Sequence, residues 1–295
     1  MTSCYLLCKT ELTLMFSPYT DPHFTTFSGQ LFSYQGECEL VMVHSSGFAS
    51  GKGIDIHIRT TRIDRKVHYS FISGIAIQIG TDVFEVKPDG SVIIDGSLVP
   101  DVSSFAGFSV IKSLQGKKKQ IIQYDLLLSS SNGATDTAQR SVRVRANKKT
   151  GMLYVSVGGK FHDSVGLLGA PDKNELLARD GVTDMTGDWK AYGEEWQVRS
   201  TEPKLFQESS APQHPAPPVY EMSAKKTSRI RRRLMEDSEN AEVTMEDSEN
   251  AEVTMKNAET TCAMFQGLQK QFCIEDAMAI IDLVDDFDAE DIFLY

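Results

Sequence analysis

Ile54-Asp55-Ile56-His57-Ile58-Arg59-Thr60 alternates apolar and polar side chains without a break. Successive side chains of an extended chain point to opposite faces, so this stretch reads as a half-buried β-strand with its isoleucines on one side. Runs of β-branched and aromatic residues surround it at short spacing, at 32–43, 67–71, 74–79, 83–87 and 91–94. Pro88-Asp89-Gly90, Asp95-Gly96, Asn132-Gly133 and Gly158-Gly159 punctuate these runs with residues that tolerate positive φ. Residues 141–145 and 152–157 flank the turn-forming stretch 147–151 and predict a hairpin. The count is roughly ten to twelve strands, with no long amphipathic helix before residue 200, which predicts an all-β fold: an antiparallel, two-sheet sandwich-like domain.

Composition agrees with a globular core. The 295 residues are 41% hydrophobic and 24% charged, and the net charge is −11. Such an acidic chain lacks the basic face that phosphate binding requires, which argues against nucleic acid as a partner. No stretch approaches the ~18 apolar residues of a membrane-spanning helix. At the start, Tyr5-Leu6-Leu7-Cys8 is cut short by Lys9 and Glu11, so no competent signal peptide is read; residues 1–17 are taken as a leader or a truncated upstream segment. The cysteines are Cys4, Cys8, Cys38, Cys262 and Cys273, an odd number, and no CxxC pair suggests zinc.

Past Trp196 the composition changes. Pro212, Pro215, Pro217 and Pro218 mark an extended linker, followed by six basic residues in nine at 225–233. The Arg229-Ile230-Arg231-Arg232-Arg233 run has the look of a processing site, against the plainer reading of a solvated charge run. The decapeptide Met-Glu-Asp-Ser-Glu-Asn-Ala-Glu-Val-Thr then occurs twice, at 235–244 and 245–254, too few copies for a solenoid. Ile274, Ala277, Met278 and Ile281 recur at helical spacing, and Cys262 and Cys273 are candidates for a bridge that staples this helix to the segment before it. The predicted division is a β domain at 18–200, a disordered linker at 201–261 and a small α-helical, cysteine-containing tail at 262–295.

Three ordered blocks resemble the von Willebrand factor type D domain. They are Asp21-Pro22-His23-Phe24-Thr25-Thr26-Phe27-Ser28-Gly29; then Tyr34-Gln35-Gly36-Glu37-Cys38-Glu39-Leu40-Val41; then Val165-Gly166-Leu167-Leu168-Gly169 with Asp172, Asn174, Glu175 and Asp180-Gly181 behind it. Glu195-Trp196-Gln197-Val198 is similar to the family's closing strand, and the resemblance covers residues 18–200. It implies a non-enzymatic, extracellular or secreted module for protein–protein contact, adhesion or mucus-like and matrix assembly, whose partners are other proteins or glycoproteins or a second copy of itself. The departures carry expectations of their own. The family's C-G-L-C-G reads Val165-Gly166-Leu167-Leu168-Gly169 here, so Leu168 and Val165 are expected to fill core space that a disulfide occupies elsewhere. Cys38 loses its family partner, because residues 197–210 hold no cysteine; it is expected as an unpaired thiol and, with Cys4 and Cys8, as a candidate for inter-chain bonding.

The resemblance also implies calcium, the one cofactor considered. Asp172, Asn174 and Glu175 are the candidate ligands, while Ser28 and Ala170 replace an Asp and an Asn of the family pattern. The alternative is an ordinary polar loop. Asp21-Pro22 is a candidate cleavage bond, since some relatives with this dipeptide cut themselves there; Thr20 stands where they have Gly, and the plainer reading is a strand-entry turn with a buried His23. His57, His68 and Asp55 lie on alternating strands and are expected as exposed strand-face groups rather than a triad or metal site. No catalytic residues are assigned. Two further classes stay open: a self-processing module at Asp21-Pro22, and a reduced intracellular binding protein, which the lost disulfides and missing signal favour.

Overall fold

The computed structural model describes residues 22–62, 70–116, 119–128, 140–159 and 161–208. Thirteen strands occur among them: β1 (His23–Thr25), β2 (Leu31–Ser33), β3 (Glu39–Ser45), β4 (Ile54–Arg62), β5 (Ser70–Ile79), β6 (Asp82–Val86), β7 (Val92–Ile94), β8 (Ser97–Leu98), β9 (Ser104–Phe105), β10 (Phe108–Gln115), β11 (Ile121–Leu127), β12 (Ser141–Asn147) and β13 (Met152–Gly158). Two short helical elements join them, α1 (Phe48–Gly51) and α2 (Trp189–Glu195). Within α1, Ala49 and Ser50 adopt left-handed φ of 50° and 61°.

The all-β, antiparallel character stands, but the sheets number three among the described residues rather than two. β3 to β8 form a six-stranded meander, β13-β12-β11-β10-β9 a five-stranded sheet, and β1-β2 a separate ribbon. The extra sheet arises because the run expected at 32–43 is broken at Gln35-Gly36-Glu37, which leaves β2 free to pair back on β1 through Phe24 and Phe32.

Period-two patterning sets the core. Ile54, Ile56 and Ile58 of β4 pair with Ile79, Ile77 and Ile75 of β5, all buried on one face. Val142, Val144 and Ala146 of β12 sit opposite Val157, Val155 and Leu153 of β13, as the hairpin reading required. The inward faces of both large sheets share one apolar cluster, to which Phe24, Phe32, Tyr192 and Trp196 also belong. Burying a side chain of this size is worth about 1.5–3 kcal/mol, so the two inner faces supply most of the driving force.

The outer faces differ. On the five-stranded sheet the outward groups form a polar ladder, in which Arg143 Nε donates to Asp125 at 2.6 Å and Arg145 Nε to Gln123 at 2.8 Å. On the six-stranded sheet, residues 198–208 lie across the outer face: Val198 N–H donates to Glu39 O at 2.8 Å, and Leu205 and Phe206 bury themselves with Ala76. Packing therefore continues to Glu208, into the stretch that composition reads as linker. Asn132-Gly133, the strand residues before Ser70, the basic run, the duplicated decapeptide and the Cys262–Cys273 helix fall outside the described residues.

Candidate functional site

The three motif blocks, far apart in sequence, meet at the β3 edge. Residues 165–168 run alongside β3: His44 and Val165 exchange both backbone hydrogen bonds at 2.8 and 2.9 Å, Leu167 N–H donates to Val41 O at 3.0 Å, and Leu168 N–H to Met42 O at 3.2 Å. Gly166 makes this approach with φ +116°, and a Cβ there would stand 2.7 Å from Met42 O. From the first block, Phe27 N–H reaches Leu168 O at 2.8 Å. Leu168 fills the core as expected, but Val165 does not: it is 39% exposed, because the strand alternation at its bridge to His44 turns it outward.

An aromatic joint holds the closing helix. Phe32 stacks on Trp189 and meets Tyr192 edge-on, with centroids 5.4 and 5.7 Å apart, and Tyr192 Oη donates to Gly166 O at 2.7 Å. Arg179 lies over the Trp196 ring at 4.8 Å, and its guanidinium binds the carbonyls of Glu195 (2.8 Å) and Gln197 (2.7 Å) and the Glu202 carboxylate. Burial pulls its pKa below the ordinary arginine value. Neither Arg179 nor the 201–208 strap was singled out in sequence; the apolar pair Leu205-Phe206 soon after the closing Trp196 was the available signal.

Cys38 is a free, buried thiol, 3% exposed, with Sγ 3.8 Å from Thr60 Oγ1. Burial pushes its pKa up to about 12. A thiol so placed is closed off from a partner and its thiolate is disfavoured, which weighs against inter-chain bonding through it. The other four cysteines lie outside the described residues.

Of the calcium candidates, Asp172 is engaged through one carboxylate oxygen and Asn174 through its backbone carbonyl, while Glu175 is exposed. Asp172 Oδ2 lies 2.5 Å from His162 Nδ1, the carbonyl of Asn174 accepts from Gln30 Nε2, and the same amide reaches Ser28 Oγ at 3.5 Å. Asp180 turns onto its own loop, accepting from the N–H groups of Val182 and Thr183 at 2.9 and 2.8 Å. Calcium requires about six to eight converging oxygens, and no group of three or more His, Cys, Asp or Glu able to hold a metal occurs among the described residues. Gln30 ties the Ser28 turn to this loop through the carbonyl of Asn174.

Asp21 lies outside the described residues; Pro22 O accepts from Tyr34 N–H at 3.3 Å, and His23, buried on β1, has Nδ1 2.6 Å from Ser33 Oγ. His57 corrects an expectation. It is 4% exposed rather than on an open face, because its cross-strand neighbour Ala76 carries Leu205 and Phe206 over it. Burial lowers its pKa to about 4. Asp55 pairs with His44 at 2.6 Å, which raises the pKa of that imidazole. His68 is outside the described residues.

Exposed apolar groups mark the loops. Val182 is 82% exposed at the tip of the 169–188 loop, between Asp180 and Asp184, and Leu98 is 66% exposed on β8. No helix among the described residues is long and apolar enough to cross a membrane.

Comparison with known proteins gives the same assignment as the motif geometry. SCO-spondin of Gallus gallus is 24% identical over 200 residues, which cover 66% of this chain and 3% of that protein, so the chain spans a small fraction of its relative. Residues 17–182 match the von Willebrand factor type D domain, more than half of the chain, and the chain belongs to that family.

Proposed function

We infer that this chain is a non-enzymatic extracellular module that works by surface contact, in adhesion or in matrix- or mucus-like assembly with other proteins, glycoproteins or copies of itself. The observation that carries this reading is the clasp of residues 165–168 on β3, locked by Phe27 and Tyr192, from which the 169–188 loop projects with Val182 exposed. A loop held at both ends by a rigid frame presents the same surface to every partner, which lowers the ordering cost of binding. In SCO-spondin the matched stretch is 3% of a far longer protein, which supports a role as one module among others.

A second reading has its own observation. Cys38 is a free thiol, and Leu168 is buried where the family pattern has a cysteine, so the described β domain needs no oxidising compartment. That favours a reduced intracellular binding protein. Secretion of the full chain from a eukaryotic host, followed by intact mass and non-reducing electrophoresis, separates the two. A secreted covalent multimer, or a secreted monomer with one internal bridge, supports the extracellular module. Retention in the cell with all five thiols free overturns it. The same mass measurement tests the self-processing alternative, because cleavage at Asp21-Pro22 releases residues 1–21 and an Asp21→Ala chain would remain intact.

A further inference from the structure

Among the described residues, β10 leaves one edge unpaired beyond Val110, and the chemistry around that edge is basic. Its pairing with β9 involves only Phe108 and Ser109, and no other described strand lies along that side. Val110 N–H donates across it to Ser103 O at 2.9 Å. Strand alternation then points the N–H and C=O of Lys112 and Leu114 the same way, out of the sheet. Ile111 and Leu114 are 51% and 50% exposed beside them. Lys117, Lys118 and Lys119 follow in sequence, and the exposed Lys119 is joined at this end by Lys148 and Lys149, because Lys148 N–H donates to Gln120 O at 3.0 Å. Asp101, 3.6 Å from Lys112 Nζ, is the acidic group on the facing loop.

Charge is divided unevenly along the chain. Residues 22–208 carry 21 basic and 21 acidic side chains, whereas residues 209–295 carry 8 and 18. Two stretches without a base hold most of this acid, the duplicated decapeptide at 235–254 and the segment 275–291, with eight carboxylates each; the duplicated one is also patterned as a strand. Each copy opens into a period-two pattern: Ala241, Val243 and Met245 alternate with Glu242 and Thr244, and Ala251, Val253 and Met255 with Glu252 and Thr254. That is strand patterning, with β-branched residues inside it. Lysines on a strand edge discourage indiscriminate pairing; the same lysines favour a strand that carries carboxylates.

We propose that the duplicated acidic segment, residues 235–254, docks on this edge within the same chain. One Ala-Glu-Val-Thr-Met copy adds to β10 as a further strand, and the flanking carboxylates meet Lys112, Lys119, Lys148 and Lys149. Reach permits it: the chain from Glu208 to Met235 extends up to about 90 Å, against a radius of gyration of about 16 Å for a compact body of the described size. A tethered segment also acts at a high effective concentration, so a weak strand contact is populated without a large interface. The duplication gives the single edge two equivalent occupants.

Hydrogen exchange read by mass spectrometry, on the full chain and on the chain lacking 235–254, tests this. The expected result is that peptides covering 110–116 exchange about tenfold faster in the deleted chain, with its circular dichroism unchanged. Charge reversal at Lys119, Lys148 and Lys149 in the full chain produces the same acceleration. A synthetic 235–254 peptide restores protection to the deleted chain, less so in about 0.5 M NaCl. Equal exchange in the full and deleted chains overturns the proposal. Protection that disappears on dilution of the full chain also overturns it, in favour of pairing between two copies.

Discussion

Tyr34 and Gly193 form the tightest contact of the aromatic joint: a Cβ on Gly193 would lie 2.0 Å from the Tyr34 ring. No rotamer change relieves such an overlap, because Tyr34 is fully buried and its Oη accepts from Gln197 Nε2 at 2.7 Å. Gly193→Ala is expected to cost about 3 kcal/mol in urea unfolding, whereas Gly187→Ala, with open space around it, shows only the smaller strain of its positive φ. His57 gives a pH dependence. Its folded pKa of about 4 lies below the ordinary 6.5, so the unfolded state binds the extra proton between these values. Stability from this group is fully present above pH 6.5 and falls by about 3 kcal/mol as pH drops to 4. His44 acts in the opposite sense, since its raised pKa adds stability at low pH that is lost as pH rises past its folded value. A His57→Gln chain is expected to lose the decline between pH 6.5 and 4 in denaturant melts; an unchanged slope would mean that the imidazole is not buried in solution.

At the scale of elements, the strap and the 169–188 loop each make a testable demand. Phe206 packs beneath the Arg59 guanidinium, 4.3 Å from its ring, and beside Gly74. Phe206→Ala should cost about 3–5 kcal/mol and, by opening the face over His57, move that imidazole's titration up toward 6.5, as followed by its NMR shift. The loop, held by Gln30, Ser28 and His162, is expected to be indifferent to calcium: millimolar calcium or chelator leaves the thermal midpoint unchanged, while Gln30→Ala lowers it. A calcium-dependent rise in the midpoint would overturn that account. These elements also show what the sequence makes legible. Strict alternation at 54–60 and 141–145 announces β4 and β12, because one-sided burial leaves a period of two in the chain. Gln30, Arg179 and Phe206 leave no such trace. Their partners lie more than a hundred residues away or on a neighbouring loop, and only the assembled fold gives their side chains a role. His57 misleads for the same reason: alternation marks it as outward-facing and says nothing of what later crosses that face.

Across the whole molecule, packing, hydrogen bonds and ion pairs hold the described β domain, with Cys38 free and apolar residues at the two positions of the third block where the family pattern has cysteines. Its sheets close over a core in which Leu168, Leu167 and Leu176 are all buried beneath the block that a bridge would otherwise fasten. A native disulfide contributes about 2–4 kcal/mol, and its loss from a domain of this size lowers the midpoint by roughly 5–15 °C. Reductant should therefore leave the cooperative unfolding of residues 22–208 in place, with a shift of less than about 2 °C in the full chain. Any bridge made by Cys262 and Cys273 lies outside these elements and would change the mobility of the full chain in non-reducing electrophoresis without moving that transition. A reductant-sensitive midpoint would instead require Cys38 to be bridged in solution. Since its sulfur is enclosed by Tyr34 and Thr60, such a bridge would have to pull the start of β3 away from β4, and exchange of the Thr60 amide, which donates to Cys38 O at 2.9 Å, would report that opening directly.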